Sequence, residues 1–314
     1  MKNTQVQIEG IKNQSIGVEV EMNNITRSKA AQIAAEFFGT HRHESTAGRN
    51  GYCTFSAWDS EGREWKFQKD VSIHGPDGEK CEMVTPILTY SDIETLQELV
   101  RRLRKAGAKS DATRGCGVHV HIGAQGHTTQ SLRNLANIMA SHESLLASAL
   151  NLDRGRMNRY CRTVSPAFLD QLNRKKPQTM AELADIWYTS QNASYGRSAH
   201  YNDSRYHMLN LHATFTKGTV EFRLFQFDAP SGTKQNGLHA GQLKSYIQLC
   251  LALSAMAKNA KSASPKPQQV DNPKYAMRTW LLRLGFIGNE FKTARETFTN
   301  RLSGDGAFRN GRTA

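Results

Sequence analysis

Three short segments of the chain alternate apolar and polar residues with the period of a β-strand. They are IGVEVEM at residues 16–22, GVHVHI at residues 117–122 and TVEFRLF at residues 219–225. Because side chains alternate between the two faces of a strand, each segment sends its aliphatic or aromatic residues to one face. The opposite face of each segment receives a polar pair. These pairs are Glu19 with Glu21, His119 with His121, and Glu221 with Arg223.

Longer segments have the helical period. The clearest are residues 91–107, 128–152 and 238–257, and the last is apolar enough to be largely buried. In the first segment, Ser91 and Glu94 form a capping-box pattern, and Gly107 follows the last apolar residue. Further along, Asn272 and Pro273 supply a cap and a first-turn proline, which predicts another helix beginning there.

The six polar residues of the three strands suggest a site. If the strands share one sheet, three carboxylates, two imidazoles and a guanidinium cover a single face. Such carboxylates repel one another unless cations neutralise them. Carboxylate-rich sites suit Mg²⁺ or Mn²⁺, and a histidine ligand favours Mn²⁺. The alternative is three unrelated strands whose polar residues face solvent.

Two further stretches also resemble strands that present polar side chains. Residues 65–72 alternate loosely and present Asp70 and Ser72, while Glu82 lies in a short apolar run that ends at a proline. Glu79 is a nearby competitor for the role of Glu82. Either stretch alone is typical of an ordinary surface strand.

The motifs together resemble a known family. IGVEVEM, D-x-S at residues 70–72, EMVTP, GCGVHVHIG and RYHMLNLHATFTKGTVEFRLF have the order and spacing of the amidoligase branch of the glutamine synthetase and glutamate–cysteine ligase superfamily. Each motif alone is modestly specific, whereas the ordered set is strongly specific. The resemblance covers about residues 16–251.

This resemblance implies an α+β fold in which a curved antiparallel sheet holds ATP and divalent metal on its concave face, with helices packed on the outer face. It implies metal ligands at Glu19, Glu21, Glu82, His119 and Glu221. It implies catalytic roles for His121, Arg205 and Arg223. It implies nucleotide contacts at Ser72, Arg205, Asn210 and Arg223. The choice between Glu79 and Glu82 stays open.

The implied function is that of an ATP-dependent carbon–nitrogen ligase with Mg²⁺ or Mn²⁺. The enzyme joins a carboxylate donor to an amine acceptor through an acyl-phosphate, and the sequence identifies neither substrate. Two alternatives are a phosphagen-kinase-like phosphotransferase on the same fold and a basic nucleic-acid-binding protein. A metal hydrolase or cupin-type oxygenase fits less well, because its other ligands are histidines rather than glutamates.

Composition adds a candidate partner and a compartment. The net charge of +13 favours a polyanion, so an acidic macromolecule or a modified nucleic acid joins the list of partners. The chain of 314 residues is 38% hydrophobic and 22% charged, as in ordinary globular proteins. The first ten residues lack the apolar segment of a secretory signal. We therefore expect a soluble, cytoplasmic protein without a membrane association.

The expected domain organisation follows from the motifs. Residues 1–258 are expected to form the amidoligase-like catalytic domain. Residues 259–314 are expected to form a basic segment that comprises a linker, helices packing on the core and a flexible tail. From residue 258 onward there are eleven Lys or Arg and four Asp or Glu.

Overall fold

The computed structural model describes residues 2–46, 48, 51–191, 196–229, 237–267 and 270–309. It combines helices with antiparallel strands, as in an α+β protein. The strands are β1 (Ile16–Met22), β2 (His43–Ser45), β3 (Phe55–Trp58), β4 (Glu64–Gln68), β5 (Cys81–Val84), β6 (Val118–Gly123), β7 (Leu209–Asn210) and β8 (Thr219–Phe225). The helices are α1 (Lys2–Lys12), α2 (Arg27–Phe38), α3 (Ile93–Lys105), α4 (Thr129–Leu150), α5 (Arg154–Arg159), α6 (Pro166–Lys175), α7 (Met180–Thr189), α8 (His212–Lys217), α9 (Ala240–Asn259), α10 (Pro273–Arg283) and α11 (Lys292–Thr299).

The chain divides into two compact units. The sheet unit comprises Ser15–Val120 and Phe225–Lys244. The helical unit comprises Met1–Gln14, His121–Leu224 and Ser245–Ala314. The functional division expected between residues 258 and 259 stays a prediction.

Strand register in the sheet unit sorts side chains into rows. The strand order is β2-β3-β4-β5-β1, with β6 beside β1. Val20 and Phe67 both lie opposite Met83, and all three are fully buried. Burial of each such side chain stabilises the fold by about 1.5–3 kcal/mol. One residue along each strand, Glu21 and Gln68 both lie opposite Glu82, so the neighbouring row is polar.

Two helices support this sheet. α2 packs against β2, β3 and β4, and it also contacts α3. α3 buries the apolar face predicted from its sequence, including Leu96, Leu99 and Leu103. Its start differs from the prediction, because Thr89 and Asp92 form the capping box and the α-helix begins at Ile93. A preceding 3₁₀ turn supplies this earlier box, which replaces the one expected at Ser91.

The helical unit contains a short strand pair and most of the helices. β8 pairs with β7, and the amide of Ala124, just after β6, donates to the carbonyl of Gly218, just before β8. α4 is held by contacts with α6 and α11. α10 begins as predicted, with Pro273 in its first turn and the Asn272 side chain accepting from the Tyr275 amide. Residues 268–269 of the predicted linker and 310–314 of the predicted tail lie outside the described residues.

The predicted apolar helix near residue 240 is α9, whose middle residues are buried. Along the described ranges, no helix has both the length and the hydropathy that a membrane crossing requires.

Candidate functional site

The polar pairs of the three predicted strands are buried. Glu21 is 4% exposed, His119 4%, His121 6%, Glu221 1% and Arg223 5%, and Glu19 is half-buried. Solvent-facing strands would leave these side chains in water. The alternative of three ordinary surface strands is therefore wrong, and the ionisable groups require buried partners.

Acidic side chains converge in the sheet unit, where two triads share Glu82. Oxygen or nitrogen atoms of Glu19, Glu82 and His119 all lie within 4.8 Å of one another. The same holds for oxygen atoms of Glu21, Asp70 and Glu82. The register explains the second group, because Glu21 and Glu82 are direct partners across β1 and β5.

His119 lies between two of these carboxylates. Its Nδ1 is 2.9 Å from Glu19 Oε2, and its Nε2 is 3.8 Å from Glu21 Oε1. The Gly117 amide donates to the other oxygen of Glu21 at 2.6 Å, which fixes that carboxylate beside the start of β6. The E-x-E and H-x-H motifs therefore meet within this unit through Glu19, Glu21 and His119.

Glu82, rather than Glu79, joins the cluster. Glu79 lies in a short 3₁₀ helix before β5, is half-buried, and belongs to neither triad. Glu82 is 5% exposed and accepts a 2.7 Å hydrogen bond from the Gln68 amide. Burial raises the pKa of the Glu82 carboxyl well above its ordinary range, and the negative charges of Glu19 and Glu21 raise it further.

Ser72 lies next to the cluster and is bonded to Asp70. Both its backbone amide and its hydroxyl donate to Asp70 Oδ1 at 2.6 Å. Asp70 is itself a member of the second triad. Ser72 thus orients a candidate metal ligand, and its expected contact with nucleotide stays a prediction.

The donor set fits a divalent cation that prefers oxygen. Four carboxylates and one imidazole are the ligands expected for Mg²⁺ or Mn²⁺, and no thiol belongs to either triad. Opposed buried carboxylates also need positive charge to offset their repulsion. One ion could be held by Glu19, Glu82 and His119. A second ion could be held by Glu21, Asp70 and Glu82.

A second polar group lies in the helical unit around β8. Glu221 accepts from the Arg223 guanidinium at 2.5 Å and from the Asn210 amide at 2.6 Å. His121 Nε2 lies 3.8 Å from Glu221 Oε1, and its Nδ1 lies 2.9 Å from the Thr219 hydroxyl. The cross-strand register places Asn210 opposite Glu221, so this arrangement follows from the β7–β8 pair.

Arg223 is held from two sides. Its Cζ lies 5.8 Å from the centroid of the Tyr206 ring, a cation–π distance. Buried Arg156 donates to the Arg223 carbonyl at 3.2 Å, which supports the backbone of β8 at this point. The Tyr206 ring helps to orient the guanidinium, whose charge is paired with the Glu221 carboxylate.

Arg205 lines a cavity of about 200 Å³ in the helical unit. The wall also includes Asn210, His212, Lys217 and Glu221. Arg205 is 9% exposed and lies at the end of a 3₁₀ turn. The structure therefore brings Arg205, Asn210 and Glu221 to the same cavity wall.

The sequence did not single out Gln68 or Thr219, and it left Asp70 outside the set of ligands. Gln68 could have been found by continuing the alternation of buried Trp65 and Phe67 along β4, because it occupies the other face. Thr219 begins the T-x-E-F-R motif, yet nothing local indicates that its hydroxyl contacts His121.

Antiparallel strands that carry buried carboxylates and imidazoles define a candidate metal-dependent enzyme. The family model described as "Putative amidoligase enzyme" matches residues 12–254. The chain therefore belongs to this amidoligase family. No curated protein matches the sequence.

Among solved structures, a bifunctional glutathione synthetase from Pasteurella multocida is similar, with 12% sequence identity and a TM-score of 0.41. The likeness covers 95% of this chain and 48% of that chain. This chain thus spans about half the length of that protein.

Proposed function

We propose that the protein is an ATP-dependent ligase that joins a carboxylate to an amine, forming an amide or isopeptide bond through an acyl-phosphate. The carboxylate cluster of the sheet unit carries this proposal. Its two triads, Glu19–Glu82–His119 and Glu21–Asp70–Glu82, have the donors and the burial of a site for Mg²⁺ or Mn²⁺. Membership of the amidoligase family supports the type of bond that is formed.

The chemistry needs activation of a poor electrophile. A carboxylate does not condense with an amine at neutral pH, whereas an acyl-phosphate does, since phosphate is a good leaving group. The divalent cation, when bound, offsets the negative charge of the triphosphate. The chain contributes mainly position and charge to such a phosphoryl transfer.

Residues of the helical unit have matching roles in this proposal. The Arg223 guanidinium stabilises negative charge on the transferred phosphoryl group, and Arg156 with Tyr206 keeps it oriented. Glu221 is fixed by Asn210 and Arg223, and we propose it as a further metal ligand. The Nδ1 atom of His121 lies 2.9 Å from the Thr219 hydroxyl and its Nε2 lies 3.8 Å from Glu221 Oε1, and we propose that this imidazole contacts phosphate or substrate.

We also propose that the family belongs to the glutamine synthetase and glutamate–cysteine ligase superfamily. The support is the order of the motifs along antiparallel strands: E-x-E on β1, a carboxylate on β5, H-x-H on β6 and E-x-R on β8. The specific curved-sheet fold of that superfamily is part of this proposal.

The test is ATP turnover with Mg²⁺ or Mn²⁺ across pooled amino acids, peptides and polyamines, with product masses recorded. We expect amine-dependent release of ADP and phosphate together with a product of amide mass. Glu21→Gln and Glu221→Gln should each lose about two orders of magnitude or more in rate, as when a charge-stabilising group is removed. Glu296→Gln, on the exposed surface of α11, is the control for loss of one carboxylate.

Two results would count against the proposal. A stable phosphorylated product without amide would indicate a kinase. Absence of turnover together with absence of metal-dependent ATP binding by calorimetry would favour a binding protein without ligase activity.

A further inference from the structure

The excess positive charge of the chain lies entirely in the helical unit. That unit contains 25 Lys or Arg and 12 Asp or Glu, a surplus of 13, whereas the sheet unit contains 16 of each kind. A surplus of one sign that is confined to one unit attracts polyanions to the surface of that unit. The search for an anionic partner's site therefore begins in the helical unit.

A groove of this unit is lined mostly by α4 and α10. Residues between Ile138 and Ser148 form one wall, and residues between Tyr275 and Arg283 form another. A helix rises about 15 Å over ten residues, so this groove is long enough for an extended chain. α10 and the residues that follow it lie beyond residues 12–254, which the family model matches. Membership of the amidoligase family therefore does not account for the groove.

Aromatic rings line the groove. His142 of α4 and Trp280 of α10 are stacked, with ring centroids 4.0 Å apart and an interplanar angle of 12°. Burial lowers the pKa of His142, and the positive charge of Arg283 lowers it further, so the imidazole is neutral at pH 7. His142 Nδ1 lies 2.9 Å from the Ile138 carbonyl, which can only accept, so Nδ1 carries the proton. The other ring nitrogen, Nε2, is therefore a hydrogen-bond acceptor.

Two arginines accompany these rings. Arg283 and Arg309 both line the groove and are exposed to solvent. Among the residues that the structure describes, neither guanidinium has a carboxylate within salt-bridge distance. Asp271 contributes one negative charge to the same lining, against the two positive charges of the arginines. The groove thus keeps a positive surplus of its own.

The segment that carries Arg309 is fixed to the start of α10 by Asn272. The Asn272 side-chain amide donates to the carbonyls of Asp305 and Phe308 at 2.9 Å, and its oxygen accepts from the Tyr275 amide. Phe308, next to Arg309, is 50% exposed. An exposed aromatic ring beside an arginine, on a segment held in place, forms a platform on which a nucleic-acid base can stack.

The combination of rings and arginines distinguishes between polyanions. Positive charge alone would serve an acidic peptide or an anionic lipid surface. A single-stranded nucleic acid also presents planar bases, which stack on exposed rings beside basic groups. Bases in a duplex are already stacked on one another and do not offer their faces.

We propose that the groove between α4 and α10 binds single-stranded nucleic acid. Arg283 and Arg309 contact phosphates, and Phe308 stacks on a base. The neutral imidazole of His142 accepts a hydrogen bond from a base amino group at Nε2. This inference names a second binding surface and does not depend on the proposed ligase function.

The test is fluorescence anisotropy of the full chain with labelled oligothymidylate and oligouridylate of about 20 nucleotides, longer than one typical site. At least one of these single strands should bind the wild type, with an affinity that falls as salt is raised. Arg283→Gln should weaken the binding and lower the slope of log affinity against log salt by about 0.7, the value for one phosphate contact on a single strand.

Phe308→Ala should weaken the binding by about fivefold or more and leave the salt slope unchanged, because it removes a stacking ring and no charge. Arg174→Gln, on the exposed surface of α6, is the control for loss of one positive charge elsewhere in the helical unit. It should leave the affinity within about twofold of the wild type and the salt slope unchanged.

Duplex DNA, polyglutamate and phosphatidylserine vesicles are separate arms of the same experiment. Affinity for any of them equal to that for the single strands would indicate attraction by charge alone and would overturn the proposal. Failure of both single strands to bind, or a salt slope that Arg283→Gln leaves unchanged, would do the same. Arg283 and Phe308 are exposed, so both variants should fold, which circular dichroism checks. Oligonucleotide binding in a protein without ATP turnover would support this groove and reject only the ligase.

Discussion

Glu79 and Glu82 are chemically identical and three residues apart, yet only one of them lies among other carboxylates. Glu82 points into a polar row on β5 beside Glu21, whereas Glu79 ends a 3₁₀ helix with partial exposure. Burial and neighbouring charge therefore distinguish the two residues. Local sequence does not distinguish them, because Glu79 lies just before, and Glu82 within, the same short apolar run.

This difference gives a matched pair of variants. Glu82→Gln should weaken binding of Mn²⁺ by about 100-fold or more, since removal even of residues that only support ligands costs about 10–100-fold. Glu79→Gln should leave the affinity unchanged. Titration calorimetry with Mn²⁺ on both proteins measures this directly, and equal effects of the two substitutions would argue against the cluster as a metal site.

At the scale of elements, the loop that carries Asp70 and Ser72 is held against the start of β6. Gly115, with φ of 69°, caps the 3₁₀ helix that precedes β6. A Cβ at this position would lie 2.4 Å from the Ser72 carbonyl oxygen. The glycine is therefore required both by its backbone conformation and by a close approach of another segment.

Gly39 has the left-handed backbone conformation but no close approach of another segment. It caps α2 with φ of 72°, and a Cβ there would have no atom within 4 Å. Gly39→Ala should cost about 1–2 kcal/mol in free energy of unfolding, the cost of a left-handed backbone for alanine. Gly115→Ala should cost more by about 1–3 kcal/mol, because overpacking adds to that strain. It should also weaken metal binding through displacement of Asp70.

Urea unfolding of the two alanine variants, with Mn²⁺ titration of each, measures both effects. The same loss of stability in Gly39→Ala and Gly115→Ala, with unchanged metal affinity, would show that the approach of the Ser72 carbonyl is unimportant.

At the scale of the whole molecule, buried ionisable groups set how stability depends on pH. Glu143 in α4 is 4% exposed, and its carboxylate accepts from the Val164 amide. Burial raises its pKa from 4.5 to about 7. The folded chain therefore keeps this proton over a range in which the unfolded chain releases it.

Because the pKa of Glu143 is raised on folding, this residue makes the chain less stable as the pH rises. Its contribution to the free energy of unfolding is fully present below pH 4.5 and is lost as the pH rises through about 7. Glutamine does not titrate, so Glu143→Gln does not lose this contribution. From pH 4 to pH 8, the free energy of unfolding of Glu143→Gln should therefore rise by about 3 kcal/mol relative to that of the wild type. Free energies of unfolding from urea titrations at several pH values measure the difference. The control Glu296→Gln, at an exposed position, should show no such relative rise. If the free energy of unfolding of the wild type and of Glu143→Gln changed with pH in the same way, the raised pKa of Glu143 would be wrong.

Local patterns determined much of the architecture. The alternation of IGVEVEM and TVEFRLF predicts β1 and β8 with the bounds that the structure has, since alternation depends only on neighbours along the strand. The cap at Asn272 and Pro273 likewise predicts the start of α10. The ordered motifs also identify the amidoligase family, and the match over residues 12–254 confirms it.

Only the tertiary structure decided which polar groups meet. Glu21 faces Glu82 because β1 and β5 pair in one particular register, and a shift by one residue would send Glu82 to the other face. The same register brings in Gln68 from β4, and the fold of a loop brings in Asp70. The cavity beside Arg205 likewise needs segments that lie apart in the sequence. Hydrogen bonds and packing between distant segments determine these positions, and no local periodicity contains that information.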